Sequence, residues 1–240
     1  MRAHIGCEDV GVRFQLDRAR KVVTPAYAKL VRSGGETVWG LQSVTLEIRA
    51  GEAIALVGPS GSGKTTLLRV MAGVLPADRG TRTIRGRVGS LLAIDAGLLG
   101  RLTGEENAML LAVLAGMTRR QAAAALPRIR EVSGLGAAFN RPVSAWSQGM
   151  RARLGFAVAD IMQPDVLLLD EVHEALDHEF RAVIEERAHA LKQAGGIDVA
   201  AGHDHGLLER VCDRAVLMRD GVVVDDGPVE RVATDYVAAL

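Results

Sequence analysis

Apolar and polar residues alternate over 44–48 (Val44-Thr45-Leu46-Glu47-Ile48), the period-two pattern of a half-buried strand. Residues 53–57 are continuously apolar, which predicts a short strand buried on both faces. A glycine-rich turn follows, then helical character over 65–72 and a strand over 83–92. The middle third reads differently. Thr103-Gly104-Glu105-Glu106 is a capping box ahead of an apolar helix over 108–117. Thr118-Arg119-Arg120-Gln121 is a second, ahead of an alanine-rich helix interrupted at Pro127. A third helix covers 150–162 and stops before Pro164, and no strand is evident between about 96 and 163. Strands and helices then alternate again: strand 166–169, helix 178–193, strand 197–201. Strands 214–218 and 222–224 bracket Asp220-Gly221, a strong hairpin signal, and a last helix follows Gly227-Pro228. The pattern predicts an α/β core with a helical subdomain inserted at about 96–163.

Composition narrows the classes. At 240 residues the chain is one large domain or two small ones, with enough surface to bury that it needs no disulfide or metal to fold. Lysine plus arginine equals aspartate plus glutamate, 29 each, which argues against a protein held on nucleic acid or lipid by bulk charge. Aromatic residues are 3%, too few for the stacking platforms of single-strand binders. Cys7 and Cys212 are far apart, fit no ligand spacing and read as a reduced pair. The N-terminus lacks an apolar stretch of signal-peptide length, and the most apolar window, 108–117, is half of the about 20 residues a membrane span requires. The expectation is a soluble chain that works at a membrane only by docking to something else.

Gly58-Pro59-Ser60-Gly61-Ser62-Gly63-Lys64-Thr65 fits the phosphate-binding loop pattern at every fixed position, between a buried strand and a helix. Glycines let backbone N–H groups curl around phosphate oxygens, and the helix presents its positive end. Lys64 supplies a point charge and the Thr65 hydroxyl a ligand for Mg²⁺; Thr66 continues the cradle. Pro164-Asp165-Val166-Leu167-Leu168-Leu169-Asp170-Glu171 is an apolar strand ending in two acids, delivered to the carboxyl edge where α/β proteins bind ligands. There Asp170 would hold Mg²⁺ and Glu171 would be the general base that activates water. Trp146-Ser147-Gln148-Gly149-Met150 opens a helix; by itself this is an ordinary N-cap, and the alternative is an anion site built on the same physics as the phosphate loop.

These three motifs in this order resemble the ATP-binding cassette (ABC) family of ATPases, across essentially the whole chain. The resemblance implies a P-loop NTPase fold of ABC ATPase type, in one domain over 1–240, with a mainly parallel core sheet, an antiparallel β part and the inserted helical subdomain. Ser147 and Gly149 look like the core of the signature motif, usually Leu-Ser-Gly-Gly-Gln, with Trp146, Gln148 and Met150 in place of its first, third and fifth residues. In the family the signature of one subunit contacts ATP on the other, so a head-to-tail homodimer is implied. Ala175-Leu176-Asp177 resembles the loop that crosses this interface, and His203 the histidine that contacts the γ-phosphate. Phe14 matches the position of the ring under adenine, with Tyr27 as competitor. Most relatives carry a glutamine after the strand that follows the phosphate-loop helix. Here no glutamine stands over 91–99, and Asp95 is the nearest polar candidate for a water-bridged Mg²⁺ contact or else a solvated loop residue.

Within the family, 86–107 and Ser147-Gln148-Gly149-Met150-Arg151-Ala152-Arg153-Leu154-Gly155 resemble the ATPase subunits of bacterial polysaccharide and teichoic-acid exporters. The implied role is ATP hydrolysis, with Mg²⁺, that drives a lipid-linked polysaccharide through a separate integral membrane subunit. Motion would pass to that subunit around 91–103, from a peripheral position on the cytoplasmic face of the plasma membrane. Some members append a carbohydrate-binding domain, which is not expected here. A drug or lipoprotein transporter, a regulatory nucleotide-binding module, and a non-transport ATPase acting on DNA or ribosomes are the alternatives; neutral charge argues against nucleic acid. The basic stretch 17–36, with Arg18, Arg20, Lys21, Lys29 and Arg32, is either a solvated loop or a contact for anionic headgroups or the glycan's pyrophosphate.

Overall fold

The apolar run at 53–57 becomes strand β4 (Ala53–Val57), buried on every residue and flanked on both sides by parallel strands. The computed structural model describes residues 2–17, 22–25, 36–93, 97–171, 176–202 and 205–238. Before β4 come β1 (His4–Asp17), β2 (Val22–Pro25) and β3 (Glu36–Arg49). After it come α1 (Lys64–Met71), β5 (Arg79–Arg85), β6 (Val88–Leu91), α2 (Gly104–Leu114), α3 (Arg119–Ser133) and α4 (Gln148–Ile161). The chain closes with β7 (Val166–Asp170), α5 (His178–Gln193), β8 (Ile197–Ala201), α6 (His205–Val211), β9 (Arg214–Arg219), β10 (Val222–Pro228) and α7 (Val229–Ala238). The strands form one sheet in the order β2-β1-β3-β10-β9-β4-β8-β7-β6, with β5 paired to β1. β9, β4, β8, β7 and β6 run parallel; β1, β2, β3 and β5 form the antiparallel part.

Alternation along β4 divides the core. Ile54 and Leu56 face α1 and the antiparallel strands, packing with Leu67, Met71, Ile5 and Leu46. Ala53, Ala55 and Val57 face α4, α5 and α7, packing with Phe156, Phe180 and Val232. The Phe156 and Phe180 rings meet edge to face at 5.7 Å. Helices α2, α3 and α4 bury their own cluster around Ile129, Phe139, Trp146 and Leu154. Both capping boxes form: Thr103 with Glu106, and Thr118 with Gln121.

Three expectations change. The strand over 83–92 is two strands that leave in different directions, β5 to β1 and β6 to β7. The break is Gly86, at φ 112°, where a Cβ would lie 2.8 Å from the Asp165 Cβ. Helix α3 is not interrupted at Pro127 but runs through it. Pro127 and Ala123, whose carbonyl loses its intrahelical donor, are both exposed, on the solvent side of the helix, where an unpaired carbonyl costs least. The strand predicted at 44–48 is part of a 14-residue one.

Candidate functional site

Strands β4, β8 and β7 are neighbours, so their carboxyl ends deliver Gly58, Ala201 and Asp170 to one edge of the sheet. The loop after β4 approaches the surrounding backbone too closely for side chains. A Cβ on Gly58, at φ 140°, would lie 2.1 Å from the Met218 carbonyl oxygen. One on Gly63, at φ 108°, would lie 2.8 Å from the Gly40 carbonyl oxygen. Gly63 caps α1 without a side-chain hydrogen bond, and no acidic residue stands in the first turn, so that turn offers its backbone N–H groups to an anion. Lys64 is 5% exposed, and its Nζ donates to the Gly58 and Pro59 carbonyls at 2.7 and 3.1 Å, arching over the loop. Ser60 and Gly61 form the exposed tip. The Ser62 Oγ is buried and has no hydrogen-bond partner.

Asp170 ends β7 with its carboxylate bonded by the Thr65 side chain. Its Oδ1 is buried and has no partner. Burial raises its pKa; the Thr65 bond and the Arg69 and Lys64 charges oppose this, and the Glu171 charge adds to it. An orphaned carboxylate oxygen beside a hydroxyl is a hard-oxygen donor pair that suits Mg²⁺. Among the described residues no three His, Cys, Asp or Glu side chains form a metal cage.

Glu171 is exposed, at φ 54°, and its N–H donates to the Ala201 carbonyl at 2.8 Å. A left-handed backbone on a residue with a Cβ costs roughly 1–2 kcal/mol. The strand ends hold it there. His203 follows Ala201 by two residues but, like Asp95, Ala175 and Tyr27, lies outside the described residues, as does most of the basic stretch. Phe14 is partly buried on the core with its ring against Gly40, where a Cβ would come within 2.4 Å of it; Thr66 is beside them.

Ser147, Gly149 and Asp177 gather elsewhere, around an open cleft of about 480 Å³ that none of residues 58–65 lines. Ser147 caps α4, its Oγ accepting the Met150 N–H at 3.2 Å. Asp177 caps α5 by accepting the Phe180 N–H at 3.0 Å, and it pairs with Arg153, whose guanidinium stands 5.1 Å over the Phe180 ring. The Phe180 N–H first, then Arg153, holds the Asp177 carboxyl below its usual range. Arg153 is a residue that motif reading leaves without a role; its position on the same helix as Ser147 is visible, its partner 24 residues away is not. A larger cleft, about 740 Å³, lies at the amino ends of β7 and β8 between Arg128, Asp160 and Arg187, and contains none of the candidate site residues.

Comparison with known proteins agrees with this geometry. Residues 41–174 match the ABC transporter family model. The chain is 36% identical over 201 residues to the teichoic acids export ATP-binding protein TagH of Listeria monocytogenes, covering 84% of this chain and 60% of that protein. It is 34% identical over 206 residues to the O-antigen export system ATP-binding protein RfbB of Klebsiella pneumoniae, covering 86% and 84%. This chain thus spans about 60% of the length of the teichoic-acid relatives it matches. Among solved structures, a dimeric ATP-binding cassette in a post-hydrolysis state bound to ADP and Pi superposes with TM-score 0.76 at 21% identity, covering 94% of this chain and 98% of that one. With its phosphate loop, acidic strand end and capped serine helix placed as described, this chain belongs to the ABC transporter ATP-binding family.

Proposed function

We propose that the protein is the ATPase subunit of an ABC exporter that moves a lipid-linked polysaccharide through a separate membrane subunit. The carrying observation is Asp170, a buried carboxylate with an oxygen left unpaired, held by Thr65 next to a loop fit for phosphates. On this reading the backbone of 58–65, with Lys64 and Thr66, receives the ATP phosphates, and Phe14 lies under adenine. Thr65 and Asp170 would hold Mg²⁺, with Asp95 a third candidate, and the ion supplies charge neutralisation on the phosphates. Glu171 takes a proton from water as its oxygen bonds the γ-phosphorus; the bond to the bridging oxygen breaks, leaving ADP and phosphate. His203 orients the γ-phosphate. The second half of the site comes from a second copy: Ser147 and Gly149 of the partner subunit close over ATP, with Asp177 of the partner subunit at the crossing.

The open cleft at Ser147 supports that arrangement, because within one chain it stands apart from the phosphate loop. Membrane coupling has a matching surface. A groove of about 230 Å³ lies between edge strand β6 and helices α2 and α4, lined by Leu91, Leu98, Leu111 and Met162, with Leu99 and Leu114 exposed. Among the described residues no helix is long and apolar enough to cross a membrane. The names of the relatives, teichoic-acid and O-antigen export ATP-binding proteins, support a polysaccharide as cargo; the peripheral position on the cytoplasmic face belongs to the same proposal.

The test is Glu171→Gln in the full chain. ATP binding is expected to persist while turnover falls by about 10²–10⁴-fold. In cells the same variant should stop the appearance of surface polysaccharide. Full ATPase turnover in the variant would overturn the catalytic assignment; normal surface polysaccharide with lost turnover would overturn the cargo.

A further inference from the structure

The turn between β9 and β10 does more than join two strands. Asp220 and Gly221 both have left-handed backbones, at φ 50° and 76°, which makes a tight primed turn. The Gly221 N–H donates to the Ser62 carbonyl at 2.9 Å, so the turn grips the fifth residue of the phosphate loop. At the near end of the same hairpin, the Met218 carbonyl abuts Gly58, the first residue of that loop.

The turn is itself held from β3 at Gln42. The Gln42 N–H donates to the Gly221 carbonyl at 2.9 Å, and its side-chain Nε2 donates to the Asp220 carbonyl at 2.8 Å. The Gln42 carbonyl accepts from Arg79 Nη2 at 2.9 Å, and that nitrogen also pairs with Asp9 at 2.6 Å. We propose that Gln42 is a positioning residue for nucleotide binding: its side chain holds the Asp220–Gly221 turn against Ser62, and the turn fixes the shape of the phosphate loop. The proposal rests on the reading of 58–65 as the nucleotide site.

The physical need is plain in the loop's composition. Three glycines and two serines stand among its eight residues, and such a chain has many conformations to lose on binding. A brace that restricts the loop beforehand lowers the ordering cost that would otherwise fall on binding. Gln42 is exposed, so shortening its side chain opens no cavity, and its backbone bond to Gly221 survives substitution.

The experiment compares Gln42→Ala, Gln42→Glu and Gln42→Lys in the full chain. The readouts are the dissociation constant for ADP by equilibrium dialysis and the nucleotide-free melting temperature. Ala removes the donor. Glu keeps the size but turns an acceptor toward the Asp220 carbonyl. Lys keeps a donor of sufficient reach. The expected result is ADP affinity weakened by about three- to ten-fold in Ala and Glu, the worth of one neutral hydrogen bond, and near-normal in Lys. A melting temperature lowered in Ala with ADP affinity unchanged would overturn the proposal, since the bond would then be structural only. Equal weakening in all three would overturn it too, because the loss would trace to packing. Failure of the unsubstituted chain to bind ADP would instead refute the nucleotide-site reading.

Discussion

Asp198 shows at the scale of one residue how a buried charge records its surroundings. It sits on β8, fully buried between Ala53 and Leu167, with neither carboxylate oxygen well hydrogen-bonded and Cys212 near by. Burial pushes its pKa from 3.8 to about 7, only partly offset by the Val199 N–H. The folded chain therefore holds this proton more tightly than the unfolded chain does. The associated stability is complete below about pH 4 and is lost as pH rises through about 7. Asp198→Asn should match the parent near pH 4 and exceed it in denaturant stability at pH 8 by about 4 kcal/mol at most, with a flatter pH profile. A variant that follows the parent's pH profile would show that another group carries it. No sequence pattern predicts this residue. Asp198 occurs in a strand-forming run, and only the assembled fold around β8 removes its water. Glu171 is the contrary case. Its proposed role as general base is read from the strand-then-acids pattern, while its left-handed backbone, tied to Ala201, is visible only in the fold. Glu171→Gly should raise stability by roughly 1–2 kcal/mol while turnover disappears, so thermal melting and ATPase rates would move in opposite directions.

Elements were readable where a local rule was strong. The apolar strands β4, β7 and β8, both capping boxes and the Asp220-Gly221 hairpin follow from composition and spacing alone. The split of β5 from β6 did not, because Gly86 turns to avoid Asp165, a residue 79 positions away in the chain. The antiparallel β1–β3 pair was only partly legible, since register shifts between Cys7 and Arg13 interrupt its alternation. Helix α4 lets capping and ligand contact be separated. Ser147→Ala removes an N-cap and should cost about 1 kcal/mol of stability. Ser147→Asp keeps the cap and favours the positive helix end, so stability should hold. Placed against a terminal phosphate, that carboxylate should still abolish ATP-driven dimerisation of a Glu171→Gln chain, as read by sedimentation. Dimers of the doubly substituted chain would show that Ser147 meets no phosphate.

At the scale of the molecule, the nucleotide loop stands at a crossing of early and late chain. Its strand, β4, lies between β8 and β9, both contributed more than 130 residues later. Its floor is β3, and its brace is the β9–β10 turn, whose grip on Ser62 and Gln42 spans most of the sequence. Such long-range pairing makes the fold slow to close. It also sets an order. A chain in which β9 and the Asp220-Gly221 turn have not yet docked exposes the glycine loop without the neighbours that shape it, so the loop takes its final form only after β9 has paired with β4.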